Sequence, residues 1–242
     1  MPSSSSPSQR TETNIDQNPN EIESAVLEFR QKQGYHVLLN RLTNYFQKLI
    51  DDIFRQYPHQ ITFPMDTKPM EHFLLGFEIE YCPLEELINS PLIPHFCNPF
   101  DPEGNDPSPH YLGGFWFADE DTRKVYVFIQ TSSGTNRQMF TKIHELFHFC
   151  QSLDIAFIKF LEQIITESTL PPDLVRRLIE RSANKATAMY LIPEVHLKQK
   201  YQETQDIDYL AKFYGVCRKT MEIRLEECQL TSNKENPLDI PF

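Results

Sequence analysis

The run His144-Glu145-Leu146-Phe147-His148 holds the residues of this chain best suited to chemistry. On a helix, positions four apart lie one above the other, so the two imidazoles converge as a tetrahedral zinc ion requires. Glu145 then stands beside the open position of such a metal rather than on it. From there it can take a proton from a water attacking a carbonyl. The pattern reads as the core of a metallopeptidase. The plain alternative is a surface helix with two spare histidines, and the neighbouring residues weigh against it. Met139, Phe140, Ile143, Leu146, Phe147 and Cys150 recur at three- and four-residue steps, a stripe that a fully solvated helix would not carry.

A zinc peptidase site needs a third protein ligand, and five candidates follow the motif. Asp154 occupies the last position of an extended HExxHxxGxxH motif, but Gln151 stands where the turning glycine belongs. Glu162 and Glu167 lie too far along: were the helix continuous, Glu162 would sit about 21 Å beyond His148. His196, in Ile-Pro-Glu-Val-His, suits a solvent-exposed or hydrogen-bonded role. Glu180 is favoured, because it follows the breaker Pro171-Pro172 on a helix that can return against the first. For it to reach the metal, the chain must bend or restart near Ser152 to Asp154, both good N-caps.

The elements that position these groups can be read in outline. Arg123 to Gln130 is β-branched and aromatic, and Thr131 to Asn136 breaks it, so a strand leads into the HExxH helix. Tyr111 to Ala118 forms a second strand, paired with Val125 to Ile129 across Asp119-Glu120-Asp121. Phe73 to Tyr81 is a further candidate strand, and Pro99 to Pro109 a loop. From Glu21 to about Gln56 apolar residues recur helically, with a break expected at Gly34. Residues 1–20 carry almost nothing apolar and read as a disordered tail. There is no internal repeat.

At this point the sequence resembles the ImmA/IrrE-type metallo-endopeptidases. The resemblance rests on Arg137-Gln138-Met139-Phe140-Thr141-Lys142-Ile143 leading into HExxH, on Glu180-Arg181-Ser182-Ala183-Asn184, and on the stop Leu191-Ile192-Pro193. It continues through Leu210 to Met221 and Arg224-Leu225, covering about Tyr111 to Cys228. It implies that His144, His148 and Glu180 bind Zn2+ and that Glu145 is the general base. Members of the family cleave repressor proteins, so a transcriptional repressor is the implied substrate. The chain departs from the family in having Ile143 and Phe147 where Ala and Gly are usual, and Ala186 where Phe is usual. It also has a long insertion between the metal helices. The first three differences bear on packing more than on ligation.

Two rival readings belong to other classes. Leu210 to Leu225 also fits a DNA-binding helix-turn-helix, with Ala211, Gly215 and Met221 at the required spacing. Its second helix, however, sets Glu222, Glu226 and Glu227 against Arg218, Lys219 and Arg224, and acidic residues are repelled by phosphates. A non-catalytic zinc-stabilised protein is the other rival, but structural zinc sites favour four ligands rich in cysteine, and only Cys150 lies near the motif.

Composition sets the limits. The 242 residues are 40% hydrophobic with net charge −11, which excludes a broad phosphate-binding surface but suits a soluble protein with one substantial core. Cys82, Cys97, Cys150, Cys217 and Cys228 show no CxxC spacing, and an odd count fits reduced thiols in a cytoplasm. No membrane span or targeting segment is evident. The expected architecture is α+β, a mainly helical zincin-like body with a small mixed sheet. Its expected parts are a tail (1–20), an N-terminal helical layer (21–56), the metallopeptidase domain (57–200), a C-terminal helical pair (201–230) and a tail (231–242). An extended substrate is expected along the strand before His144, should that strand be an edge. Tyr190 and His196 are candidate oxyanion stabilisers.

Overall fold

The computed structural model describes residues 19–88, 113–119, 121–167 and 171–231. Residues 1–18 of the tail expected at 1–20, the loop at Pro99 to Pro109 and residues 232–242 of the tail expected at 231–242 lie outside them, whereas residues 19 and 20 are helical.

An α+β body is built on helix α1 (Pro19–Gln56), which runs without interruption through Gly34. The expected break is absent because a helical glycine costs only about 1 kcal/mol, and packing offsets it. Tyr35, Leu38 and Leu42 are buried together with Phe157, Val175 and Leu178. Further along, Phe46, Ile50 and Ile53 enter the main core. Short helix α2 (Lys68–Phe73) carries Pro69 in its first turn and takes Phe73. The strand expected from Phe73 therefore starts later, after Gly76 turns the chain with φ +96°, as β1 (Glu78–Pro83). Helix α3 (Leu84–Ile88) follows.

Strands β2 (Gly114–Asp119) and β3 (Lys124–Ile129) pair antiparallel, with Phe115 opposite Phe128 and Trp116 opposite Val127. This is the expected hairpin. Strand β1 adds parallel to the other side of β3, giving the order β1-β3-β2. The strand that leads to HExxH is therefore the centre of the sheet, with both its edges paired. It offers no place for an extended peptide, and the expectation of a substrate along it fails on that ground. Among the described residues, the free edge on the β2 side lies with β2.

The alternation of β3 buries Val125, Val127 and Ile129. Over them packs helix α4 (Thr135–Leu153), with Ile143, Leu146, Phe147, Phe149 and Cys150 all buried. Helix α5 (Ile155–Glu167) turns away, and α6 (Pro172–Leu191) returns to pack against α1 and α4. Helices α7 (Glu194–Thr204), α8 (Ile207–Tyr214) and α9 (Arg218–Glu227) close the body. Leu197, Leu210, Met221 and Leu225 share one buried cluster with Phe46, Val127, Leu146 and Ala183. One apolar core thus joins α1, the sheet, both central helices and the closing helices. Gly215, in the left-handed region at φ +67°, ends α8 and lets α9 fold back. Among the described residues, no helix is long and apolar enough to cross a membrane.

Candidate metal centre

His144 and His148 project from one face of α4 because the other face carries the buried stripe. Ile143 and Phe147 anchor that buried face. Phe147 meets Phe46 of α1 edge to face at 5.3 Å and lies 6.1 Å from Tyr190 of α6. The bulky residues at these two positions thus fill the junction of three helices and leave the imidazoles free.

Glu180 reaches the same place from α6. The chain leaves helical geometry at Asp154, whose backbone is extended, and restarts at once as α5. The Asp154 carboxylate accepts the backbone N–H groups of Ala156 and Phe157, capping the new helix. This restart is the one the reach of Glu180 demanded. On α6, Ala183 and Ala186 are fully buried small residues that allow close approach to α4.

The three side chains converge tightly. His144 Nε2 lies 3.1 Å from His148 Nε2, and the Glu180 carboxylate oxygens lie 3.4 Å and 3.5 Å from those two nitrogens. Bond lengths of about 2.0–2.1 Å to a tetrahedral zinc imply ligand-to-ligand edges of about 3.3–3.4 Å. The two nitrogens and one carboxylate therefore stand close to three vertices of such a polyhedron, and the trio can hold a metal ion.

Charge is arranged to match. At Glu180, burial opposes ionisation, but hydrogen bonds from both histidines outweigh it and hold the carboxyl well below its usual range. At His144 burial dominates and lowers the imidazole's pKa. At His148 burial acts in the same direction but is overcome by Glu180, and the pKa rises. Glu145 is nearly buried, and desolvation pushes its carboxyl up to about 7, with the charge of Glu180 adding to that and His148 opposing it. A carboxyl poised near neutrality can both accept and return a proton.

Support behind the ligands is uneven. His148 Nδ1 donates to Gln151 Oε1 at 3.0 Å, so that in the neutral ring Nε2 carries the lone pair that a metal would take. His144 Nδ1 is buried and, among the described residues, has no hydrogen-bond partner. The glutamine in the place of the turning glycine thus orients a ligand. Its i+3 position relative to His148 was the available signal for this role. Gly114 is a second such position: a Cβ there would lie 2.5 Å from Thr141 Cγ2, 2.7 Å from the Phe128 carbonyl and 3.4 Å from Glu145 Cγ. Only glycine lets the edge strand sit this close to the general-base candidate.

The remaining candidates go elsewhere. Asp154 is engaged as a cap, Glu162 is exposed on α5, and the side chain of Glu167 is outside the described residues. His196 stacks on Phe63 at 4.1 Å and pairs through Nδ1 with the Tyr214 hydroxyl at 2.8 Å. Tyr190 is fully buried, and its hydroxyl donates to the Asp66 carbonyl at 3.0 Å. Both are occupied by structural partners, so neither is offered to a developing oxyanion.

Comparison with known proteins agrees with the geometry. Residues 110–226 match the model of the peptidase M78 family described as the IrrE N-terminal-like domain, a span that contains all four site residues. No curated protein sequence shows significant similarity to this chain. Among solved structures, a Mycobacterium tuberculosis transcriptional regulator aligns over 80% of this chain at 14% identity and a TM-score of 0.46. The alignment covers 51% of that protein, so the chain spans about half its length.

Proposed function

The segment 110–226 belongs to the IrrE N-terminal-like peptidase family, and from that premise we propose that the protein is a zinc-dependent metallo-endopeptidase that cuts a specific repressor-type protein. The observation that carries the reading is the trio of His144, His148 and Glu180 at tetrahedral edge lengths beside a buried Glu145. Three ligands leave one coordination position for chemistry, whereas a purely structural site would fill four.

His144, His148 and Glu180 would hold the ion, which when bound supplies a Lewis acid for the substrate carbonyl and acidifies the attacking water. Glu145 takes the proton of that water at its carboxylate as the new C–O bond forms. It then delivers the proton to the amide nitrogen as the C–N bond breaks, leaving one carboxylate and one amine product. Gln151 holds His148 in the tautomer that ligation needs. An extended peptide is best accommodated along the edge of β2, beside Glu145.

The narrow specificity follows from the family resemblance and from charge. A net charge of −11 favours a target with a basic surface, such as a DNA-binding repressor, and the cytosol, where such a repressor works, is the proposed compartment. Direct DNA binding is disfavoured by the engagement of basic residues on α9. Arg218 pairs with Glu222 at 2.9 Å and also with Asp208, and the buried Arg224 donates to the Ile192 carbonyl and lies 3.2 Å from Glu227.

The test combines metal content with proteolysis. Elemental analysis should find one zinc per chain, lost in His144→Ala and His148→Ala. Glu145→Gln should keep the zinc and lose cleavage of a repressor encoded beside this protein's gene. Full zinc in both histidine variants, or equal cleavage by Glu145→Gln, would overturn the reading. Degradation of casein at many sites would replace the regulatory role with a general one.

A further inference from the structure

Arg137 lies on the same face of α4 as the metal ligands. Positions 137, 141, 144 and 148 follow the helical repeat, so the guanidinium stands two turns before His144. Its side chain is exposed, and among the described residues it has no hydrogen-bond or ion-pair partner. That sets it apart from Arg218 and Arg224, which are tied to carboxylates. It points toward the start of the edge strand: Arg137 Nη2 lies 3.7 Å, and Thr141 Oγ1 3.6 Å, from where a Cβ of Gly113 would stand. Gly114, the next residue, abuts Glu145. A cation unpaired among the described residues therefore faces the glycine-lined approach to a site whose carboxyl groups are Glu145 and Glu180.

We propose that Arg137 is a specificity-determining residue that binds a carboxylate of the substrate within about three residues of the scissile bond. The inference rests on the peptidase reading above. The register follows from length. Seven helical positions at about 1.5 Å each separate Arg137 from His144, and an extended peptide covers that span in about three residues. The chemistry follows from the guanidinium, whose planar fork matches a carboxylate with two parallel hydrogen bonds. Elsewhere in the cleft an acidic side chain would meet Glu145 and Glu180 and be repelled, so Arg137 fixes where along the substrate a carboxylate is accepted. A basic partner with one acidic residue near its cleavage point satisfies both this site and the protein's overall negative field.

Binding can be measured apart from cleavage. Zinc-loaded full-length Glu145→Gln protein, which should hold peptides uncut, is titrated by fluorescence polarisation into three labelled nonapeptide pools. All are otherwise uncharged. One carries a single Glu, one a single Gln, and the third is the Gln pool with a free rather than amidated C-terminus. The Glu pool should bind about tenfold more tightly than the amidated Gln pool. Adding Arg137→Ala should erase that difference, Arg137→Lys should restore part of it, and Arg137→Glu should make it unfavourable. Since the Arg137 side chain is exposed, each variant should keep the parental zinc content and thermal midpoint. Preference for the free C-terminus over Glu would assign the carboxylate to a chain end. Equal binding of all pools, no binding, or a Glu preference that survives Arg137→Ala would overturn the proposal. Cleavage of the Glu pool by protein with Glu145 intact is scored separately by mass spectrometry. Arg137-dependent binding without cleavage would keep the carboxylate site and remove the peptidase reading.

Discussion

Replacing Glu145 by glutamine should stabilise the metal-free protein, by an amount that grows with pH. Glu145 is 7% exposed, and burial raises its carboxyl from an ordinary 4.5 to about 7. Below about pH 4.5 the group is protonated in the folded and the unfolded chain alike, and the two proteins should differ little. Between pH 4.5 and 7 the folded chain retains a proton that the unfolded chain has released, so stability falls as pH rises. Above pH 7 the full cost of a buried carboxylate applies, about 3 kcal/mol at 1.36 kcal/mol per pH unit. Glutamine has nearly the shape of the protonated acid and never ionises, so it avoids that cost. In a chain of this size the gain corresponds to a rise in Tm of about 6–12 °C at pH 8, vanishing toward pH 4. Thermal unfolding of both proteins in EDTA across that range measures it. A variant no more stable than its parent at pH 8, or a gain equally large at pH 4, would refute the assignment of Glu145 as a desolvated base.

Three other outcomes follow from the same geometry. Gln151→Ala removes the acceptor behind His148, so zinc affinity measured by chelator competition should fall about 10–100-fold with the fold intact; unchanged affinity would deny Gln151 its orienting role. Asp154→Ala should keep its zinc while losing about 0.5–2 kcal/mol in chemical denaturation, the worth of a helix cap, whereas Glu180→Ala should lose the metal. Zinc loss in Asp154→Ala would show that the wrong carboxylate had been chosen. Gly114→Ala forces β2 away from α4, and a destabilisation of about 1–3 kcal/mol is expected; a parental denaturation midpoint would contradict the close packing.

The sequence by itself determined the parts of this protein that are local. Four-residue spacing puts His144 and His148 on one face whatever surrounds the helix, and the stripe through Ile143, Leu146, Phe147 and Cys150 dictates which face is buried. The β2–β3 hairpin was legible for the same reason, since its pairing spans a short turn. The restart at Asp154 could be inferred because Glu180 needed it and a capping residue stood there. What tertiary structure alone decided are relations between distant segments. The parallel addition of β1 makes β3 central, a crossover no periodicity reports, and among the described residues it leaves β1 and β2 as the edges. Gly34 looked like a breaker, yet α1 runs through it, because packing against α5 and α6 outweighs a propensity of about 1 kcal/mol. Gln151 looked like a missing glycine, and its value as the partner of His148 depends on a side-chain direction. The open guanidinium of Arg137 and the closeness of Gly114 to Glu145 arise where a strand meets a helix, and that distance is set by the three-dimensional packing of the whole core.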